Sequence, residues 1–259
     1  MAKRPVYEAR RPVPLARQAS IHAAHLLRWR PVAAGRTSFV IFAQGRTGST
    51  LLVDLMNSHK GVHCDGEILG KPVRFPYAWV DAHRRRWPDR YYGFKVKPYQ
   101  LSVDQQLDPR AWLRRMHGHD WKLIHLRRRN ALRHALSNIV AEQVGFVFRS
   151  TGPAEPAGLT VDVEMLLGAM SAREEQAEVE RAALAELPHV SVCYEDDLLE
   201  PDRHQATLDR LSDALGLPHA QARTEVRRIT TDDLRTTIAN YDEVSSAIRS
   251  SRWAPLLED

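Results

Sequence analysis

Two glycines, an arginine and three hydroxyl residues are grouped directly after the first strongly apolar run of this chain. The run is Ser38-Phe-Val-Ile-Phe-Ala43, and it is followed by Gln44-Gly45-Arg46-Thr47-Gly48-Ser49-Thr50. Glycines permit a tight turn in which backbone N–H groups point inward, and the start of a following helix adds a positive field. Arg46 adds a fixed charge, and the hydroxyl groups add further donors. We therefore predict an anion-binding loop over residues 44–50.

This loop does not follow the Walker A pattern, which needs Gly, four further residues and then Gly-Lys-Ser/Thr. No lysine stands before its hydroxyl residues, so a magnesium-dependent nucleoside triphosphate site is poorly supported. The alternative to an anion site is an ordinary glycine turn in which Ser49 caps the next helix.

A second group of candidate anion ligands lies further along the chain. Arg127, Arg128 and Arg129 follow a predicted strand, and Asn130 is suited to cap the helix predicted after it. Helical spacing places the apolar stripe of that helix on one side and Ser137 on the opposite side. Arg129 and Ser137 can then both face a ligand over the carboxyl edge of a parallel sheet. The alternatives are a solvated arginine turn and a surface serine.

Short apolar runs alternate with helical patterns along the chain. The strands and helices that they predict must hold the loop at 44–50 and the pair Arg129 and Ser137 in place. We predict strands at 38–43, 62–64, 93–97, 121–126 and 190–194, and helices at 49–59, 130–144, 161–187 and 202–215. The fold class that follows is α/β: a P-loop-like three-layer fold with a central, mostly parallel sheet of about five strands and helices on both faces. Residues 145–160 predict a flexible loop near the site.

Composition excludes several classes of protein. The chain has 259 residues, of which 43% are hydrophobic, so it is not a disordered chain. No apolar run approaches the roughly 18 residues of a membrane span. Two cysteines cannot build a disulfide framework and fit a reducing compartment, so we expect a cytoplasmic protein.

The positive charge is concentrated at the start of the chain. The net charge is +5, yet residues 1–36 carry eight Lys and Arg against one Glu, which leaves −2 for the other 223 residues. We predict a basic N-terminal arm over 1–36, mobile apart from a short helix, and a single domain over 37–259. The arm is either a solvated tail or a segment attracted to anionic lipid or to a polyanion.

The motifs resemble those of a known family. Residues 45–50 look like the phosphosulfate-binding loop of sulfotransferases that use 3′-phosphoadenosine 5′-phosphosulfate (PAPS), and Arg129 with Ser137 looks like their 3′-phosphate motif. The bacterial carbohydrate branch, with nodulation-factor and lipooligosaccharide sulfotransferases, is the most similar one. Segments 58–67, 194–199 and 238–244 also resemble that branch.

The resemblance implies a sulfotransferase of EC 2.8.2 type, with PAPS as donor and no metal. It also implies that residues 45–50, Arg129 and Ser137 bind the donor. The sequence departs from the family pattern in two places: Arg46 stands where many members carry Lys, and no Arg-Lys-Gly triplet occurs near the C-terminus. Arg228, next to Arg227, is our candidate for the missing 3′-phosphate contact.

Sulfuryl transfer to a hydroxyl group needs a general base, because the hydroxyl loses its proton as the new bond forms. Glu67 follows the second predicted strand, and in the resembling carbohydrate enzymes a Glu after this segment has that role. Asp65 and His63 are the rival candidates. Arg46 is a further catalytic candidate.

Two lysines stand at the end of the third predicted strand. Lys95 and Lys97 are two residues apart and therefore point to the same face of the sheet. They are either a positive wall of the cleft, able to stabilise a leaving phosphate oxygen, or an edge-strand pair that aids solubility. Lys95 is the preferred catalytic candidate.

The acceptor is predicted to be a glycan or glycolipid. Aromatic residues crowd one span, namely Phe75, Tyr77, Trp79, Trp87, Tyr91, Tyr92 and Phe94. Sugars stack on such rings, although most of these residues are expected to belong to the core. Two other functions remain open, an ATP-dependent kinase and a nucleic-acid-binding protein that uses the basic arm. The body charge of −2 argues against nucleic acid, and the oligomeric state stays open.

Overall fold

A computed structural model describes residues 10–27, 33–144, 158–226 and 233–257. These residues form two compact units. The sheet unit holds residues 10–27, 33–127 and 179–224, and the helical unit holds residues 128–144, 158–178, 225–226 and 233–257. The single domain over 37–259 stays a prediction, since one domain can contain two compact units.

The sheet unit is built on five strands. They are β1 (Ser38–Ala43), β2 (Val62–Asp65), β3 (Tyr91–Val96), β4 (Trp121–Arg127) and β5 (His189–Cys193). Every neighbouring pair is parallel, and the order across the sheet is β2-β3-β1-β4-β5. The five predicted strands are therefore confirmed, with ends that differ by at most two residues.

Helices connect these strands and continue into the helical unit. They are α1 (Leu15–Leu27), α2 (Ser49–Ser58), α3 (Pro76–Arg84), α4 (Pro109–Gly118), α5 (Ala131–Val144), α6 (Val163–Leu184), α7 (His204–Leu215), α8 (Leu234–Thr237) and α9 (Tyr241–Arg249). Two short π-helical turns occur at Gln100–Asp104 and Tyr194–Leu198. The four predicted helices are confirmed as α2, α5, α6 and α7, and α3, α4, α8 and α9 are additional ones that were not predicted.

Both faces of the sheet are covered by apolar side chains, which confirms the three-layer prediction. Val40 and Phe42 of β1 belong to a buried cluster with residues of α3 and α4. Phe39 and Ile41 belong to a second cluster, with residues of α2 and α7. Alternate residues of β1 thus serve opposite faces, and a strand buried on both faces reads as one continuous apolar run.

Gly93 shows how tightly the central strands are packed. The Phe39 ring occupies the space beside it, and a Cβ atom added at Gly93 would lie 2.1 Å from Cε2 of Phe39. A residue with a side chain would displace that ring from a close-packed interior. Glycine therefore lets β1 and β3 keep their register next to the anion-binding loop.

The basic arm is packed rather than mobile over residues 10–18. Val13 is buried in the core, and its backbone N–H donates to the carbonyl of Pro72 at 3.0 Å. The buried amide of Gln18 accepts a hydrogen bond from the backbone N–H of Arg74. These bonds make this part of the arm a component of the sheet unit, and its short helix is confirmed as α1.

The helical unit has an apolar core of its own. Leu132, Leu136 and Ile139 of α5 pack with Leu166 of α6 and Ile248 of α9. A β-bridge joins Leu159 to Ile238. Within the described residues, no helix is both long and apolar enough to span a bilayer.

Candidate functional site

The predicted anion-binding loop lies between β1 and α2 and has the backbone of an anion-binding nest. Arg46 and Gly48 both adopt left-handed φ angles, of 66° and 83°. Such alternating conformations turn successive N–H groups toward one concave side. Gly48 is the N-cap of α2, and as a glycine it has no side chain that could cap that helix. The first N–H groups of α2 are therefore suited to a bound anion.

The hydroxyl residues of the loop have distinct positions. Thr47 is buried and donates to the carbonyl of Gln44 at 2.9 Å, which fixes the turn itself. Ser49 is buried in the first turn of α2, whereas Thr50 is half-buried. Its hydroxyl oxygen accepts a hydrogen bond from Nζ of Lys95 at 3.1 Å.

Strand order explains why a lysine of β3 reaches this loop. β3 lies directly beside β1, and Lys95 is opposite Ile41 in the register. Lys97 follows the end of β3, and a Cβ added at Gly45 would lie 3.6 Å from its side chain. Both lysines therefore face the loop, as the shared-face prediction requires.

Glu67 joins the two lysines in one cluster. Its Oε1 lies 3.0 Å from Nζ of Lys97 and 3.4 Å from Nζ of Lys95. Its Oε2 accepts a hydrogen bond of 2.6 Å from the amide of Gln100. Gln100 also accepts a bond from the backbone N–H of Lys97. One carboxylate is thereby held by two ammonium groups and an amide, at the edge of the anion-binding loop.

The charges in this cluster shift each other's protonation. Burial alone would raise the pKa of Glu67, but the charges of Lys97 and Lys95 outweigh it and lower that pKa. Burial lowers the pKa of Lys95, which is only 9% exposed, and the charge of Glu67 opposes this effect. Glu67 is consequently held as a carboxylate, the form that can accept a proton.

The two rival bases occupy a separate cluster. His63 and Asp65 hydrogen-bond to each other at 3.0 Å, and Asp65 also accepts a bond of 2.7 Å from the hydroxyl of Tyr92. The His63 ring stacks on Trp87, with centroids 3.8 Å apart. Burial would raise the pKa of Asp65, but the bonds from His63 and Tyr92 lower it overall. These contacts do not include the anion-binding loop or its lysines.

Tyr194 supports the loop, a role that sequence reasoning did not assign to it. It begins the π-helical turn after β5, and a Cβ added at Gly48 would lie 2.6 Å from its Cδ2 atom. The left-handed φ of Gly48 and this close ring both favour glycine at the start of α2. Segment 194–199 resembles the sulfotransferase family in sequence. The contact with Gly48 shows that its first residue packs against the loop.

A buried polar chain lies behind the loop. Gln44, the first loop residue, donates from its amide to Oε2 of Glu180 at 3.2 Å. Nε2 of His125 lies 3.5 Å from the same oxygen, and Glu180 is only 1% exposed. Sequence reasoning also missed this chain, because the three residues are far apart in the sequence.

Arg129 and Ser137 belong to the helical unit. Asn130 caps α5 as predicted, since its side chain accepts a bond of 2.9 Å from the backbone N–H of Arg133. Arg129 is exposed immediately before this cap, whereas Ser137 is only 5% exposed. The described burial does not fit the alternative of a surface serine. A shared ligand for these residues and the loop stays a prediction.

The fold resembles those of known sulfotransferases. A crystal structure of a sulfotransferase from Alicyclobacillus acidocaldarius matches with a TM-score of 0.50 and 13% sequence identity, covering 87% of this chain and 97% of the other. Mouse sulfotransferase SULT7A1, solved in complex with PAP, matches with a TM-score of 0.42 and 11% identity over 93% of this chain and 92% of its own. Neither a protein-family model nor a curated protein sequence matches the chain.

The remaining candidates are placed as follows. Arg228 and Arg227, together with most of the loop predicted at 145–160, lie outside the described residues. Both cysteines are buried, and burial raises the pKa of Cys193 to about 11. Among the described residues, no group of three or more His, Cys, Asp or Glu is arranged to hold a metal ion.

Proposed function

We propose that this chain transfers a sulfuryl group from PAPS to a hydroxyl group of a carbohydrate or glycolipid. The observation that carries the proposal is the position of Lys95, whose Nζ donates to Thr50 of the anion-binding loop and faces the Glu67 carboxylate. The ammonium group of Lys95 thus contacts both the loop proposed to bind the anionic donor and the candidate base Glu67. The fold shared with a sulfotransferase and the motif resemblance support the same conclusion.

The residues of the loop suit a donor with a terminal sulfate. N–H groups in a nest, two hydroxyl groups at the start of α2 and the Arg46 guanidinium are all donors to anionic oxygens. Arg129 and Ser137 are the proposed partners of the 3′-phosphate, with Arg228 as a further contact. PAPS supplies the sulfuryl group and leaves as adenosine 3′,5′-bisphosphate.

Glu67 and Lys95 divide the chemistry between them in this proposal. The Glu67 carboxylate accepts the proton of the acceptor hydroxyl while that oxygen forms its bond to sulfur. The bond between sulfur and the bridging phosphate oxygen breaks, and its electron pair stays on the phosphate. Lys95 stabilises the charge that develops there, as a fixed donor does in an oxyanion site. In-line alignment by the loop supplies the rest, as in phosphoryl transfer.

The preference for a glycan acceptor rests on the resemblance, with limited support from the aromatic span. Trp79, Tyr91, Tyr92 and Phe94 are buried, in agreement with the expectation that most of these rings form the core. Tyr77 and Trp87 are partly exposed, and Phe75 is 58% exposed. The partly exposed rings are the ones available to a sugar.

Thermal shift measurements test the proposed donor. Adenosine 3′,5′-bisphosphate should raise the melting temperature without magnesium, because a ligand that binds only the folded state stabilises it. The kinase alternative predicts a larger shift with ATP and magnesium. The nucleic-acid alternative predicts a shift with an oligonucleotide that falls steeply with salt. Either of these two results without a bisphosphate shift would contradict the proposal.

Arg129→Ala should weaken adenosine 3′,5′-bisphosphate binding at least tenfold, measured by calorimetry. A hydrogen bond to a charged group contributes roughly 1.5–3 kcal/mol, which corresponds to about ten- to hundredfold in affinity. Arg249→Ala is the matched control, because it removes the same charge from an exposed position of α9, outside the predicted motif. Equal affinities for wild type and Arg129→Ala would remove Arg129 from the donor site.

A further inference from the structure

Two neighbouring segments of the sheet unit form a surface that is both basic and apolar. Residues 10–18 run beside residues 71–75, joined by the bond from Val13 to Pro72 and the bond from Arg74 to Gln18. We call their exposed side chains the basic–apolar surface. Its members are Arg11, Leu15, Arg17, Lys71, Arg74 and Phe75.

The apolar members of this surface are unusual for their exposure. Leu15 is 64% exposed and Phe75 is 58% exposed. Only Met165 and Val179 share this degree of exposure among the large apolar side chains of the described residues. Single exposed apolar residues are common, but two of them on hydrogen-bonded neighbouring segments are typical of a binding surface.

The charge of the same segments has one sign. Residues 10–18 and 71–75 contain five Lys and Arg and no acidic residue, although the chain beyond the arm is slightly acidic. Arg10 is anchored, since its guanidinium donates to the carbonyl of Gly70 at 3.1 Å. All five residues are exposed. The guanidinium of Arg74 lies 5.5 Å from the centre of the Phe75 ring, so cation and apolar ring are presented together.

We propose that the basic–apolar surface docks the protein on an anionic lipid bilayer. Cations near such a membrane are attracted to its headgroups, and apolar side chains beside them can enter the boundary between headgroups and acyl chains. Nucleic acid or another soluble polyanion would use the four charges but gain little from exposed Leu15 and Phe75. The hydrogen bonds of Val13, Gln18 and Arg10 fix the backbone of residues 10–18 against residues 70–74, so the surface is already formed in the absence of a membrane. This proposal does not depend on sulfuryl transfer.

Co-sedimentation of the full chain with vesicles tests the proposal. Binding should be strong to vesicles of phosphatidylcholine with about a third of phosphatidylglycerol, and weak to pure phosphatidylcholine. A variant carrying Arg11→Glu, Arg17→Glu and Arg74→Glu should bind the anionic vesicles at least about a hundredfold more weakly, because each cation contributes about fivefold. The changed side chains are exposed, so the melting temperature should stay near that of the wild type.

Two further variants separate this surface from general charge effects. The matched control carries Lys60→Glu, Lys122→Glu and Arg203→Glu, three exposed cations elsewhere in the sheet unit. It should keep most of the vesicle binding, and an equal loss in both triple variants would overturn the proposal. Leu15→Ser with Phe75→Ser should weaken vesicle binding but leave binding to polyphosphate, a polyanion without sugar rings, unchanged. If vesicle binding is the same in this variant as in the wild type, the apolar side chains do not enter the bilayer. The surface would then bind a soluble polyanion, and the proposal would be overturned.

Discussion

Glu67→Gln should lower the rate of sulfuryl transfer by about 10²- to 10⁴-fold, the range that a positioned general base contributes. The amide keeps the size of the side chain and can still contact Gln100, but it cannot accept the acceptor proton. Single-turnover transfer from PAPS to a glycan acceptor is the direct measurement, since it isolates the chemical step. A variant with a near wild-type rate would end the assignment of Glu67 as the base.

The affinity of Glu67→Gln for the donor product should not fall together with the rate. In the structure the Glu67 carboxylate contacts Nζ of both Lys95 and Lys97, and these groups face the loop in which an anion is expected. Removing the carboxylate frees both cations for that anion. Calorimetry should therefore show adenosine 3′,5′-bisphosphate binding that is equal or tighter in Glu67→Gln. A rate loss that came from misfolding would lower affinity as well, so the two measurements together identify the cause.

Asp65→Asn is the matched control for this experiment. It makes the same carboxylate-to-amide change two residues away, in the cluster with His63 and Tyr92. We expect less than a tenfold loss of rate, because that cluster does not contact the loop. A larger loss for Asp65→Asn than for Glu67→Gln would transfer the role of base to Asp65.

Lys95→Met should lower the transfer rate by about 10²- to 10³-fold, as the loss of a fixed donor to developing charge does elsewhere. The reason is the bond of 3.1 Å from Nζ to Thr50, which places this ammonium group at the first turn of α2. Methionine keeps most of the unbranched buried side chain and removes the ammonium group, with its charge and its contacts with Thr50 and Glu67. Lys122→Met, at an exposed position of β4, is the control and should leave the rate unchanged.

The same substitution should also move the pH profile. Lys97 and Lys95 lower the pKa of Glu67 against the effect of burial. Removing Lys95 weakens this effect, so the pKa of Glu67 rises, and a base is active only above its pKa. The acidic limb of kcat/KM should therefore move to higher pH. An acidic limb at the same pH as in the wild type would show that Lys95 does not influence the group whose ionisation controls the rate.

Lys97→Met distinguishes the two lysines. Lys97 lies closer to Glu67, at 3.0 Å, whereas the bond to Thr50 belongs to Lys95. We expect Lys97→Met to move the acidic limb at least as far, with a smaller loss of maximal rate. The reverse order of rate losses would make Lys97 the residue that stabilises the leaving group.

Local sequence predicted the elements that depend on local signals. The apolar run at 38–43 is the strand β1 because a strand buried on both faces needs continuous apolar residues. Asn130 caps α5 because its short side chain reaches the free N–H groups of the first turn. The alternation of such runs with helical patterns predicted a parallel sheet with helices on both faces, since parallel strands need crossover connections.

Helices α3, α4, α8 and α9 were not predicted. α3 and α4 each begin at a proline, and with 9 and 10 residues each offers only two to three turns in which a periodic apolar pattern can show. Trp112, Leu113 and Met116 of α4 have helical spacing and are buried against the sheet, and the side chain of Asp108 caps the helix by accepting from the backbone N–H of Ala111. The spacing and the cap are local signals of α4 that sequence reasoning missed.

Residue types and spacing by themselves predicted the tight loop over residues 44–50 and the pair of lysines that share one face. The tertiary structure decided that these features meet. β3 lies beside β1, so that Lys95 reaches Thr50, and Glu67 and Gln100 close the cluster from other segments. Strand order depends on how all the helices and strands bury their apolar faces together, which no single segment encodes. The same holds for Tyr194 beside Gly48, a contact between residues far apart in the chain that only the packed fold brings together.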